Sequence, residues 1–92
     1  MLGEQIRMLR EHRGLSQEQI GKRLGVSKQT VSNWENDNIQ PSIEMLVRLS
    51  KVFGVTTDYL LGLEDVPRLD VAGVPQEVVA HLTLLIEDYR HR

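Results

Sequence analysis

The sequence contains no cysteine. That excludes a disulfide framework, a thiolate nucleophile and any zinc site of the cysteine type. No apolar run approaches the roughly 20 residues that a bilayer-spanning helix requires. The opening Met1-Leu2-Gly3-Glu4-Gln5 lacks the charged and apolar regions of a signal peptide, so a cytoplasmic location and no membrane contact are expected. Histidines 12, 81 and 91 have no metal-type spacing. The acid pairs Glu64-Asp65 and Glu87-Asp88 read as solvated surface, and no glycine-rich phosphate loop occurs. We therefore expect no catalysis, no metal and no cofactor.

A large excess of one charge is also missing. Eleven Lys and Arg against 13 Asp and Glu leave a formal charge of -2 over 92 residues. The balance is uneven along the chain. Residues 1–62 hold eight basic and seven acidic side chains, whereas residues 63–92 hold three and six. A patch that binds anions must then be local to the first part. The length suits one domain with a short appendage. At this size the buried fraction of the unfolded surface is only about 60–65%, and oligomerisation is a common remedy.

What is present is helical periodicity. No stretch alternates with period two for long enough to argue for a sheet, and there is no internal repeat. The pattern predicts an all-α chain of five short helices, a linker and a sixth helix. Helix one covers about 3–12, with Leu2, Ile6 and Leu9 on one stripe and Gly14 after it. Helix two covers 17–24, with Ser16 as N-cap and Gln19 as its capping-box partner. Ile20 and Leu24 form its inner edge. Ser27 caps helix three, 28–36, so Gly25 and Val26 alone make a sharp corner, with Gly25 at positive φ. Helix four, about 42–53, turns Ile43, Leu46, Val47 and Phe53 inward and ends at Gly54. Thr56 or Thr57 caps a short fifth helix that ends at Gly62. Residues 63–74, with Pro67, Gly73 and four charges, read as a linker. Pro75 opens the last helix, 75 to about 90.

Helix three carries the functional signal. At 100° per residue, Lys28, Gln29, Ser32, Asn33 and Asn36 share one face and Val31 and Trp34 the other. None of these five outer residues is an acid. Lysine donates to guanine O6 and N7, glutamine or asparagine can bond adenine N6 and N7 together, and serine suits either edge. Any surface helix shows polar groups outward. The two-residue corner adds specificity, because a helix-turn-helix presents its reader to a major groove in this way. Arg10, Arg13, Lys22 and Arg23 lie close enough in sequence to reach phosphates.

The run from Leu15-Ser16-Gln17-Glu18-Gln19-Ile20-Gly21-Lys22 to Val31-Ser32-Asn33-Trp34-Glu35-Asn36 resembles the lambda-repressor-like (Cro/repressor, XRE) helix-turn-helix family. Pro41-Ser42, Leu46, Leu49, Phe53-Gly54-Val55 and Tyr59-Leu60-Leu61-Gly62 extend the match to about residues 3–62. The resemblance implies a five-helix lambda-repressor-like DNA-binding domain over 1–62. It implies Lys28, Gln29, Ser32 and Asn33 as base readers. It implies Gln17, Ser27, Thr30 and Asn36, with Arg10 and Lys22, as phosphate contacts. Gln17 is further implied to brace the reading helix, and Arg10 with Glu35 to tie helix one to the end of helix three. Two departures stand out. Gly21 replaces the usual alanine, a cost of about 0.5–1 kcal/mol inside a helix. Asp37-Asn38 replaces the usual glycine, and Asp37 would repel phosphate if it faced DNA.

In the last segment, 75–92, Val78, Val79, Leu82, Leu85, Ile86 and Tyr89 share about a third of the circumference, and Leu84 lies off the stripe. Spacings 78, 82, 85 and 89 follow a 4-3-4 seam. Such a stripe can pack on its own body. Pairing between subunits is the stronger expectation, because the body has apolar residues enough for its own core and one reader covers half an operator. The expected function is a sequence-specific DNA-binding transcriptional regulator, a dimeric repressor on a palindromic double-stranded operator. The alternative is an antitoxin, or a regulator that docks a protein partner through 75–90 while binding its own promoter.

Overall fold

The computed structural model describes residues 2–66 and 68–92. Met1 and Pro67, which entered the readings of the N-terminus and the linker, lie outside the described residues. The chain is all helical: α1 Leu2–His12, α2 Gln17–Leu24, α3 Lys28–Glu35, α4 Ile43–Phe53, α5 Thr57–Leu60 and α6 Gln76–Arg90. No described residue is in a strand. None of the described helices is long and apolar enough to cross a membrane.

Local chemistry sets the starts of α2 to α5. The Ser16 hydroxyl accepts from the Gln19 amide while the Gln19 side chain accepts from the Ser16 amide, the reciprocal pair that the spacing predicts. Ser27, Ser42 and Thr56 cap α3, α4 and α5 by accepting from Thr30, Met45 and Tyr59. Each such cap stabilises its helix by about 1 kcal/mol. Of the two threonines expected to cap α5, Thr56 is the cap and Thr57 is the first residue of the helix. Between α2 and α3 the chain reverses through Gly25 at φ 75°, which costs a glycine little. The Val26 amide then bonds back to the Gly21 carbonyl at 2.9 Å.

The core is one cluster: Ile6, Leu9, Ile20, Leu24, Val31, Trp34, Leu49, Phe53 and Leu60. α3 packs on both α1 and α2, α4 packs on α2 and α5, and α5 rests on α1. Every helix from α1 to α5 therefore contributes to holding α3 in place. The inner face of α4 departs from expectation. Phe53 and Leu49 are buried and Leu46 is half-buried, but Ile43 is 83% exposed and Val47 39%. Both lie roughly 80–120° around the helix from Phe53, beyond the strip that the small body covers.

Gly21 also differs from expectation. A Cβ at this position would stand 2.6 Å from the Val26 carbonyl oxygen, inside contact distance of the backbone that turns the corner. In this backbone the glycine lets α2 approach the corner more closely than an alanine would, and its propensity cost is offset by a clash avoided.

The described residues between α5 and α6, 63–66 and 68–74, form bends and turns, and the first of them are held to the body. The Leu63 amide donates to the Asp58 carbonyl at 2.8 Å, and the Thr56 hydroxyl meets Glu64 at 3.3 Å. α6 then runs for 15 residues and buries none of them.

Gly21→Ala is expected to destabilise the domain by about 1 kcal/mol or more, because overpacking at the corner outweighs the gain in helix propensity. Urea denaturation at neutral pH reads the sign directly.

Candidate nucleic-acid interface

α3 stands on a buried ionic cluster. The Glu35 side chain has no solvent exposure, although its helical position lies about 20° from Lys28 on the outward face. It bends inward because α1 supplies its counter-charge. Arg10 donates to Glu35 through Nε at 2.6 Å and Nη2 at 3.0 Å, a two-point grip. Arg7 Nε reaches Glu35 Oε1 at 3.4 Å, and Gln17 Nε2 donates to the same oxygen at 3.1 Å. Burial alone would raise the carboxyl's pKa. The bonds from Arg10 first, then from Gln17 and Arg7, more than reverse that and hold it below the usual glutamate value. The bond to Glu35 likewise raises Arg10 above its ordinary value.

This cluster joins α1, α2 and the end of α3 at one point. It assigns Arg10 to the scaffold half of its two expected roles. The guanidinium is occupied by Glu35 and by the Leu15 carbonyl at 2.8 Å, and its side chain is only 14% exposed, so it is not presented to a phosphate. Arg13 likewise bonds the Phe53 carbonyl within the body. Arg7, not singled out in the sequence, belongs to the cluster. It sits three residues before Arg10 on the same face of α1, the spacing that could have revealed it. Its Nη2 also donates to Asn36 at 2.8 Å.

Asp37 is turned away from the outer face as well. It adopts φ 57°, the left-handed region in which aspartate is among the less disfavoured side chains. Its Oδ1 accepts from the Gly3 amide at 3.0 Å. A carboxylate at the first turn of α1 satisfies an unpaired donor and faces the positive end of the helix dipole. The acid that could have repelled phosphate therefore serves as a remote cap.

The outer face of α3 is what remains. Lys28 and Gln29 are exposed, and Ser32 and Asn33 half-exposed, while Val31 and Trp34 are buried beneath. Lys28 makes no ion pair among the described residues. Gln29 Nε2 donates to Asn33 Oδ1 at 3.2 Å, one turn apart, and Asn36 Nδ2 to Ser32 at 3.4 Å. These long, exposed bonds order the row without burying it. The expected base readers are thus brought together on one ridge. Ser27 and Thr30 lie at the start of the helix, their hydroxyls 2.9 Å apart, and Gln17, at the start of α2, lies beside the end of α3 at Glu35. Lys22 projects from α2 and meets Glu18 in an exposed pair at 3.7 Å. In charge the row offers one ammonium, amides and hydroxyls, with Glu35 buried beneath it and Asp37 bonded to the start of α1.

Known proteins match this body. A family model described as Helix-turn-helix matches residues 6–60. The HTH-type transcriptional regulator ImmR of Bacillus subtilis is 33% identical over 67 residues, which is 73% of this chain and 53% of that protein. The chain spans about half the length of that curated relative. A crystal structure of the P22 c2 repressor with a synthetic operator is 38% identical with a TM-score of 0.63, covering 65% of this chain and 91% of that one. A transcriptional regulator from Listeria innocua is 25% identical with a TM-score of 0.66 and covers 96% of this chain and 91% of its own.

Replacing Arg10 by Met leaves a buried carboxylate short of its main partner and is expected to cost about 3 kcal/mol or more. The Glu35 contribution has a definite pH dependence. Its folded pKa is depressed, so its stabilisation is complete above the unfolded value near 4.3 and is lost as pH falls below it. In Glu35→Gln the acid limb of a stability-against-pH profile is expected to flatten.

Proposed function

The chain belongs to the lambda-repressor-like (Cro/repressor, XRE) helix-turn-helix family, and on that premise we propose that it is a sequence-specific DNA-binding transcriptional regulator. It acts in the cytoplasm as a dimeric repressor, and α3 enters the major groove of double-stranded DNA. The observation that carries this reading is the acid-free polar ridge Lys28, Gln29, Ser32 and Asn33, held outward by Val31, Trp34 and the buried Glu35. A rigid helix presenting amide and ammonium groups at one-turn spacing matches the donors and acceptors of base-pair edges. Gln17, Ser27, Thr30, Asn36 and Lys22 flank the ridge where backbone phosphates would lie, and contacts of that kind set register more than sequence choice.

Residues 1–62 are the DNA-binding unit, 63–74 a linker and 75–92 the dimerisation element. Repression follows from occupancy: two copies on symmetric half-sites about one DNA turn apart block a promoter. The exposed stripe of α6, in which Val78, Leu82, Leu85, Ile86 and Tyr89 are 37% to 77% accessible, supports a role in association. A regulator that docks a different protein through α6 is the second reading, favoured by the same exposed stripe.

Two outcomes are expected. With an operator selected from random DNA, Gln29→Ala should lose about 1–3 kcal/mol and relax preference at one base pair, whereas Gln17→Ala should weaken all sequences alike. Undiminished discrimination by Gln29→Ala in competition binding would remove the assigned ridge. Removing 75–92 should give a folded monomer by sedimentation that binds the operator weakly, since α6 buries none of its side chains on the body.

A further inference from the structure

We propose that α6 docks on α6 of a second copy of this chain in antiparallel orientation, crossing at Leu82 and Leu85. This rests on the dimeric reading above and adds the arrangement. The seam is its own reverse. Positions 78, 82, 85 and 89 keep the same 4-3-4 spacing read from either end. An antiparallel pair therefore sets Val78 against Tyr89 of the second copy, and Leu82 against Leu85.

A symmetric seam alone also permits a parallel pair. The flanks decide between them. Val79 and Ile86 lie on one side of the seam and His81 and Asp88 on the other, each roughly 70–90° from its centre. In a parallel two-fold pair, each flank meets the opposite flank of its neighbour. Val79 and Ile86 would then press on His81 and Asp88, and a carboxylate would lose water to an apolar surface. In an antiparallel pair, each flank meets its own kind. Ile86 then meets Val79, and Asp88 meets His81, an acid opposite a base.

The linker extends the apolar side. Leu69 and Val71 form a groove with Val79, Leu82 and Ile86, and all five are incompletely buried. A 15-residue helix is short for stable pairing by itself, and this groove adds apolar area on the flank that the antiparallel arrangement brings together. The antiparallel pair also sets the two helix dipoles in opposition, which favours it slightly.

The absence of native cysteine makes the test direct. Full-length Val78→Cys and Tyr89→Cys chains are mixed in equal amounts under reduction, exchanged, and oxidised. Both positions are exposed on α6, so neither change touches the core. In the antiparallel pair, position 78 faces 89, while the two copies of 78 stand about 16 Å apart along the axis. That is beyond the roughly 7 Å that a disulfide spans between Cα atoms. The expected result is a mixed 78–89 disulfide at least about tenfold over both self-linked species, read by mass spectrometry. Dimers that instead link 78 to 78 and 89 to 89 would overturn the antiparallel arrangement and leave the dimer standing. Chains that sediment as monomers at high concentration would overturn both.

Discussion

The buried carboxylate of Glu35 is the constraint on which the rest of the molecule turns. A lone ion at this depth would cost several kcal/mol. Here Arg10, Arg7 and Gln17 surround it, so three helices meet on one side chain. The consequence reaches the surface. With Glu35 drawn under α3, the ridge above it carries only ammonium, amide and hydroxyl groups. Scaffold and interface are thus two faces of one electrostatic arrangement.

Asp37, at the end of the ridge, obeys the same logic. Asp37 occupies a position where glycine is usual in the family, takes the left-handed conformation, and directs its carboxylate to the start of α1. Its charge is used as a cap at a helix N-terminus and kept off the presented surface. Gly21 and the Ser27 cap do the comparable steric work at the corner. The angle of α3 is set by backbone closeness there and by the ionic cluster at its far end. A helix fixed at both ends is suited to the proposed role, because it would lose little conformational entropy on entering a groove.

α6 obeys a different rule. The body closes its core with residues from α1 to α5, and α6 adds none to it. Its apolar stripe is left in water, which a chain of this size tolerates poorly unless another surface covers it. The chain therefore divides into a part whose apolar contacts are internal and a helix whose apolar stripe is left open for the association proposed above.

Much of this was legible in the sequence by itself. The capping serines, the two-residue corner with Gly25 and the helical spacing determined the six helices and the polar row of α3, because these are local effects of a few neighbouring residues. The tertiary structure decided what depends on residues far apart. Glu35 lies near Lys28 on a helical projection, and only the approach of Arg10 and Arg7 from α1 turns it inward. Arg10 has the chemistry of a phosphate ligand, and only its geometry makes it a brace. Ile43 and Val47 fit an inner stripe by period, yet the body is too small to cover them. The fate of a charge or an apolar side chain is set by what stands opposite it, and that is a property of the packed chain.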